Sequence, residues 1–135
     1  MRFEELLERL FPLGSEVVAD GRLVSGEGRT ASGPVAIAGT RGGPTLGARE
    51  LLFLSGRFLA VMRETPGRPI LMLVDNRGQT MALEEELIGL GEYVAHCVKA
   101  QDLARRRGHR VIALVHGNSV AGGFIAFGLC AGRTY

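Results

Sequence analysis

The sequence contains no tryptophan, only two cysteines and almost no net charge. A formal net charge of +2 is too small to indicate a nucleic-acid-binding surface. Cys97 and Cys130 lie in apolar stretches without the spacing of metal ligands, so we expect reduced, unpaired thiols rather than a disulfide framework. With 46% hydrophobic residues over 135 positions, the chain suits one globular domain or part of a larger one.

The first eight residues contain three glutamates, so we do not expect the stretch "MRFEELLERLF" to be a signal peptide. We therefore expect a cytoplasmic protein. One apolar stretch, residues 111–132, is long enough to span a bilayer, and arginines precede it. The polar residues His116 and Asn118, together with five glycines, argue against a membrane helix there.

The pattern of apolar residues divides the chain into three parts, which we expect to form a single domain over residues 1–135. Apolar residues at helical spacing predict an N-terminal helix over residues 2–11. Short apolar runs between glycines, such as "EVVA", "RLV" and "VAIAG", predict small strands over residues 15–40. Residues 48–132 are expected to form a βαβα core.

Within this core, the segment from Ala48 to Glu64 is apolar nearly all round and predicts a buried helix. The unbroken apolar runs at residues 70–75 and 111–115 are typical of parallel strands covered on both faces. Between them, apolar residues recurring every three or four positions from Leu83 to Val98 predict one long helix, which "RRRGH" at residues 105–109 ends. Ser119 is expected to cap a second helix, "SVAGGFIAFGLCA".

Parallel strands joined by a crossover place their carboxyl ends at the same edge of a sheet, where ligands bind in open α/β structures. Two unusual loops are expected at this edge. They are "DNRGQ" at residues 75–79 and "HGNSVAGG" at residues 116–123. The sequence therefore predicts that the two loops converge on one site.

Adjacent glycines, Gly122 and Gly123, lie where the second helix is expected to begin. The first turn of a helix presents unpaired N–H groups, and residues without a Cβ let an anionic oxygen approach them closely. A phosphate site would normally bring a Walker lysine, which is missing here, so an oxyanion hole for an enolate is the better fit. Close packing of the helix on a neighbour would also select glycine, and spacing alone leaves both interpretations open.

Three stretches, "VAIAGTRGG", "RPILMLVDNRGQ" and "LARRRGHRVIALVHGNSVAGGFIAFGL", resemble the gamma subunit of malonate decarboxylase. This family belongs to the carboxyltransferase branch of the crotonase superfamily, so the resemblance implies a crotonase-like α/β fold. Gly78 matches the family's D-x-x-G loop, and Gly117, Gly122 and Gly123 match its G-x-x-x-x-G-G helix. Ala121 replaces the serine typical of the family, a small change that leaves the backbone amides in place.

The resemblance also implies the reaction and its partners. The chain is expected to form a heterodimer with a homologous beta subunit. This heterodimer is expected to decarboxylate a malonyl thioester on an acyl carrier protein, giving the acetyl thioester and CO2. The thioester is carried on a CoA-derived prosthetic group of the carrier protein, so no cofactor or metal is expected to bind this chain directly. Family members continue well beyond Tyr135, and we expect the chain to be incomplete at its C-terminus.

We assign candidate roles on the same basis. The backbone amides of Gly122 and Gly123 are expected to act as oxyanion donors, either to the enolate, whose formation needs no nucleophile, or to the carboxyl group and its acceptor. The candidate site also contains residues from both loops: Gly78 and Gln79 as further catalytic residues, and His116, Gly117 and Asn118 as substrate-binding residues.

Other interpretations of single residues stay open. His116 could shuttle a proton or simply end a strand, and Gln79 could orient substrate or only belong to its loop. Asp75 is expected to secure the loop rather than act as a base, and His96 and His109 are expected to be structural. The arginines at 105–107 suit the C-terminus of a helix but could also attract a carrier protein.

Two rival functions remain. One is a different thioester enzyme of the crotonase superfamily, such as a hydratase, or a biotin-dependent acyl-CoA carboxyltransferase. A hydratase should supply acidic residues near the paired glycines, and "GNSVAGGFIAFG" supplies none. The other rival is a non-catalytic subunit that only completes the fold of its partner.

Overall fold

The structure is a computed structural model that describes residues 1–119 and 130–135. Within these ranges, six strands form one sheet in which each strand lies beside the strand that precedes it in sequence. The elements are α1 (Phe3–Leu10), β1 (Ser15–Asp20), β2 (Leu23–Thr30), β3 (Gly33–Thr40), α2 (Ala48–Glu64), β4 (Ile70–Asn76), α3 (Leu83–Leu87), α4 (Leu90–Arg106), β5 (Val111–Ser119) and β6 (Arg133–Thr134).

The pairing of neighbouring strands changes from antiparallel to parallel at the third strand. β1, β2 and β3 are antiparallel neighbours and occupy the region where the sequence predicts small strands. β3, β4, β5 and β6 are parallel neighbours. The parallel pairing of residues 70–75 with 111–115 is confirmed, and a second strand–helix–strand unit, β3–α2–β4, precedes it.

The two faces of the sheet are covered by different helices. On one face, Leu51 and Phe58 of α2 pack with Cys97 of α4 and Met72 of β4 in the main core. On the other face, α1 packs its apolar residues around a smaller cluster centred on Phe11, Ile37 and Leu73. Because β4 is covered on both faces, its side chains form the continuous apolar run seen in the sequence.

The prediction of a single long helix from Leu83 to the "RRRGH" stretch is wrong. The chain forms two helices, α3 and α4, and Gly89 between them has a left-handed backbone with φ of 84°. A right-handed helix cannot continue through such a residue. Glu85 of α3 accepts the N–H of Ala48 at the start of α2, at 2.9 Å, which anchors α3 away from the axis of α4.

The prediction that α2 is a buried helix is correct for only one of its faces. The side of α2 that contains Leu54 and Phe58 is buried. On the other side, Leu52 and Leu59 are 50% and 42% exposed.

Strand β5 extends further than the apolar run that predicts it. It ends at Ser119, which pairs with Asn76 of β4, and the helix that Ser119 is expected to cap begins outside the described residues. The expected helix fails at its far end, because Cys130 lies in a turn that leads to β6. Its remaining positions, 120–129, lie outside the described residues. No helix among the described residues is long and apolar enough to cross a membrane.

The two cysteines form no disulfide and lie in different environments. Cys97 has no exposed surface, and burial raises the pKa of its thiol from 9.0 to about 11, an effect that a hydrogen bond with Ser55 reduces. Cys130 is only half-buried.

We expect the Cys97 thiol to stay protonated at pH 8 and to resist iodoacetamide in the folded protein, while Cys130 reacts. Mass spectrometry of the labelled protein, with and without guanidinium, measures this difference. Because the unfolded chain binds the Cys97 proton less tightly, the free energy of unfolding should decline as the pH rises from 9 towards 11. Fast labelling of Cys97 in the native protein would contradict the assignment.

Candidate functional site

The candidate site lies at the carboxyl edge of the three adjacent parallel strands β3, β4 and β5. The sequence predicts that the segments after Asp75 and Val115 converge at this edge. The structure adds a third segment, residues 40–46, which follows β3. The missed signal is the strand–helix–strand pattern β3–α2–β4, whose first strand must end at the same edge as its second.

Asp75 connects the three strand ends. Its Oδ2 atom accepts the N–H of Gly42 at 2.7 Å, and its Oδ1 atom accepts the N–H of Asn118 at 2.9 Å. Its own N–H donates to Oγ1 of Thr40 at 3.1 Å. With both carboxylate oxygens engaged by backbone amides, Asp75 secures the loops, as the sequence analysis expects.

Gly117 lies against this carboxylate. A Cβ atom placed on Gly117 would overlap the carboxyl group of Asp75, so any larger residue must displace it. Close packing therefore accounts for glycine at this position. The substrate-binding role assigned to Gly117 stays a proposal.

His116 is attached to β3 and to α1. Its Nε2 atom lies 3.0 Å from the carbonyl oxygen of Thr40, and because a carbonyl only accepts, Nε2 must carry the proton. Its ring packs against Phe3 with 5.6 Å between the ring centroids. Arg41 stacks on the same Phe3 ring at 5.5 Å. These contacts give His116 a structural role, whether or not it also meets substrate.

The loop after β4 is held beside the segment that follows β3. Gly78 has φ of 84°, its N–H donates to Oδ1 of Asn76 at 3.0 Å, and its carbonyl accepts the N–H of Leu46 at 2.8 Å. In this arrangement the N–H of Gly78 is already occupied and does not face an oxyanion. Gln79 pairs with Leu46 through its backbone and exposes its side chain.

A cavity of about 410 Å³ opens between α1 and the strand ends, lined by Phe3, Arg41, Asp75 and His116 among others. A larger cavity of about 610 Å³ lies at the opposite edge, at the amino end of β5. We place the candidate site at the smaller cavity, because the strand-end loops meet there.

Two arginines at the C-terminal end of α4 have structural partners. Arg105 donates to the carbonyl of Cys130 at 3.1 Å, and Arg106 pairs with Asp102 at 2.7 Å. Both contacts suit the C-terminal end of α4, although they do not test attraction of a carrier protein.

Of the remaining candidate residues, the structure describes His109 but not Gly122 or Gly123. His109 is buried and structural, since its Nδ1 atom donates to the carbonyl of Arg68 at 2.8 Å and its Nε2 atom accepts the N–H of Gly67 at 3.3 Å. Gly122 and Gly123 lie outside the described residues. Among residues 1–119 and 130–135, no cluster of three or more His, Cys, Asp or Glu side chains could hold a metal ion.

Comparison with known proteins identifies relatives of this arrangement. The chain is 36% identical over 69 residues to the malonyl-S-ACP:biotin-protein carboxyltransferase of Malonomonas rubra. The aligned region covers 51% of this chain and 24% of that protein. It is similar to a chain of the Pseudomonas malonate decarboxylase MdcD–MdcE hetero-dimer, with 27% identity, a TM-score of 0.76, and coverage of 85% of this chain and 51% of that one. A Pseudomonas malonate decarboxylase hetero-tetramer in complex with malonate gives 26% identity and a TM-score of 0.78, covering 96% of this chain and 56% of that one.

The chain thus spans about a quarter of the curated relative and about half of each chain in these solved structures. The structural similarity confirms the crotonase-like carboxyltransferase fold. The family model of the malonate decarboxylase gamma subunit matches residues 41–135. Because this match covers most of the sequence and includes all three strand-end segments except Thr40, the chain belongs to the malonate decarboxylase gamma subunit family.

Proposed function

We propose that this chain, within its full-length protein, acts with a homologous beta subunit to decarboxylate a malonyl thioester on an acyl carrier protein, giving the acetyl thioester and CO2. The main structural support is the convergence of three loops at the carboxyl edge of β3, β4 and β5, where Asp75 binds the backbone of its two neighbours. Two relatives support the substrate class, since one is named for malonyl-S-ACP and another is a malonate decarboxylase in complex with malonate.

The chemistry requires stabilisation of a developing negative charge. When the bond between the carboxylate carbon and the α-carbon breaks, CO2 departs and the electron pair passes to the thioester oxygen as an enolate. The enolate carbon then takes up a proton to give the acetyl thioester. Backbone N–H groups aimed at the oxygen contribute about 3–4 kcal/mol each.

In this proposal, Gly122 and Gly123 donate to the enolate oxygen from the segment that follows β5. Gly78 shapes the neighbouring loop, because its own N–H is bound to Asn76. His116 lines the cavity at this edge, and Gln79 and Asn118 belong to the segments that meet there. The CoA-derived prosthetic group belongs to the carrier protein, and two cysteines that form no disulfide favour a cytoplasmic location.

A second candidate function is transfer of the carboxyl group to biotin. The Malonomonas rubra relative is named as a biotin-protein carboxyltransferase, and this supports the alternative. Both reactions pass through the same enolate, and they differ only in whether the carboxyl group leaves as CO2 or is transferred to biotin on a second protein.

The test uses the full-length chain, the beta subunit and a carrier protein loaded with 14C-carboxyl-labelled malonyl thioester. We expect the reconstituted pair to release labelled CO2 without any biotinylated protein, and each subunit alone to be inactive. Release that depends on a biotinylated acceptor would support the second function. A monodisperse, fully active monomer, observed by light scattering and activity assay, would contradict the heteromeric proposal.

A further inference from the structure

We propose that Asp75 is a positioning residue for this reaction, because its carboxylate fixes the point at which the glycine-rich segment leaves the sheet. The inference rests on the proposed function for its catalytic consequence, but its structural part can be tested separately. The segment that contains Gly122 and Gly123 continues directly from the end of β5. Whatever sets the backbone at residues 117–119 therefore sets where this segment begins.

The pairing of β4 with β5 contains an irregularity opposite Asp75. Val74 pairs with Val115, but Asn76 pairs with Ser119, so the single residue between them on β4 faces three residues on β5. Such a bulge removes backbone groups from the regular ladder and redirects the strand. Bulges of this kind are over-represented beside active sites.

The side chain of Asp75 takes the place of the missing ladder partner. Its Oδ1 atom accepts the N–H of Asn118, inside the bulge, at 2.9 Å. Its Oδ2 atom reaches to the other side and accepts the N–H of Gly42, beyond the end of β3, at 2.7 Å. One carboxylate thus ties the bulge of β5 to the loop after β3, through hydrogen bonds strengthened by its charge.

Gly117 makes this arrangement possible. It lies in the bulge beside the carboxylate, and a Cβ atom there would overlap Asp75. The bulge, the glycine and the carboxylate therefore depend on one another. An asparagine at position 75 would keep the shape but replace one acceptor oxygen with an NH2 group, which would face a backbone N–H and break one of the two bonds.

The experiment compares Asp75→Asn with wild type in the full-length protein assembled with its beta subunit. We expect kcat for the malonyl thioester to fall about ten- to hundredfold with KM changed less than about threefold, as for a misplaced catalytic group. The shape of the pH profile should not change. The matched control is Asp102→Asn, which alters a half-buried aspartate that pairs with Arg106 near the end of α4 and should leave both constants unchanged.

A second measurement keeps the structural part testable if no decarboxylase activity is found. Hydrogen exchange of peptides spanning residues 116–123 should be faster in Asp75→Asn than in wild type and unchanged in Asp102→Asn. Gly117→Ala, which displaces the carboxylate from the other side, should reproduce both effects.

The outcomes separate the two proposals. Wild-type protein without malonyl thioester turnover, but with the expected exchange difference, would reject the proposed function and retain the backbone link made by Asp75. Unchanged exchange and unchanged kcat in Asp75→Asn would overturn the positioning role. Loss of one limb of the pH profile would also overturn it, since Asp75 would then transfer a proton.

Discussion

Replacing Gly123 with valine is expected to slow turnover of the malonyl thioester about a hundredfold while the complex with the beta subunit still assembles. If the Gly123 amide binds the enolate oxygen, the valine side chain crowds the approach of that oxygen without removing the N–H group. Loss of one oxyanion donor in other enzymes has an effect of this size. Steady-state kinetics of the purified complex, together with its elution volume on size exclusion, measure both parts of the prediction.

If Gly123 serves only close packing, the valine variant should behave differently. If glycine is required only because the segment lies close to a neighbour, the valine should overpack that contact and lower the free energy of unfolding by about 1–3 kcal/mol. A variant that melts early but turns over normally while folded would reject the oxyanion assignment. Ala121→Ser is the control, and it should leave turnover and stability nearly unchanged.

The second large effect is expected in the core. Leu54 of α2 is 2% exposed and belongs to the cluster between α2, α4 and the sheet. Leu54→Ala should lower the free energy of unfolding by about 2–5 kcal/mol, because it removes buried methyl groups and leaves a cavity. Urea unfolding of the full-length protein, followed by circular dichroism, measures the loss.

The same helix supplies a matched control. Leu52 lies two residues earlier and is 50% exposed, so Leu52→Ala in the unassembled subunit should change the free energy of unfolding by less than about 1 kcal/mol. Equal losses for the two variants would show that the packing of α2 differs from the one described.

Much of the sheet could be predicted from the sequence. β4 is covered on both faces, and the first half of β5 is buried on one face and half-buried on the other, which explains the continuous apolar runs from which their parallel pairing is predicted. The break between α3 and α4 could not be predicted in the same way. Apolar residues keep their helical spacing across Gly89, and the spacing carries no information about its left-handed backbone.

The site was predictable in part. Convergence of the two loops follows from the direction of the parallel strands, and the structural role expected for Asp75 agrees with its hydrogen bonds. The end of β5 was missed because "HGNS" is polar, and its strand conformation depends on pairing with Asn76 rather than on burial. The occupied N–H of Gly78 was also unpredictable, since its partner Asn76 depends on the local turn.

The order of the strands has a consequence for synthesis on the ribosome. Each described strand pairs with the strand made just before it, so every new strand finds its neighbour already outside the exit tunnel. Domains generally begin to fold from the N-terminal end during synthesis, and contacts between segments close in sequence form faster than distant ones. The sheet can therefore grow in one direction as the chain emerges, with β3 and α2 in place before β4 and β5 arrive.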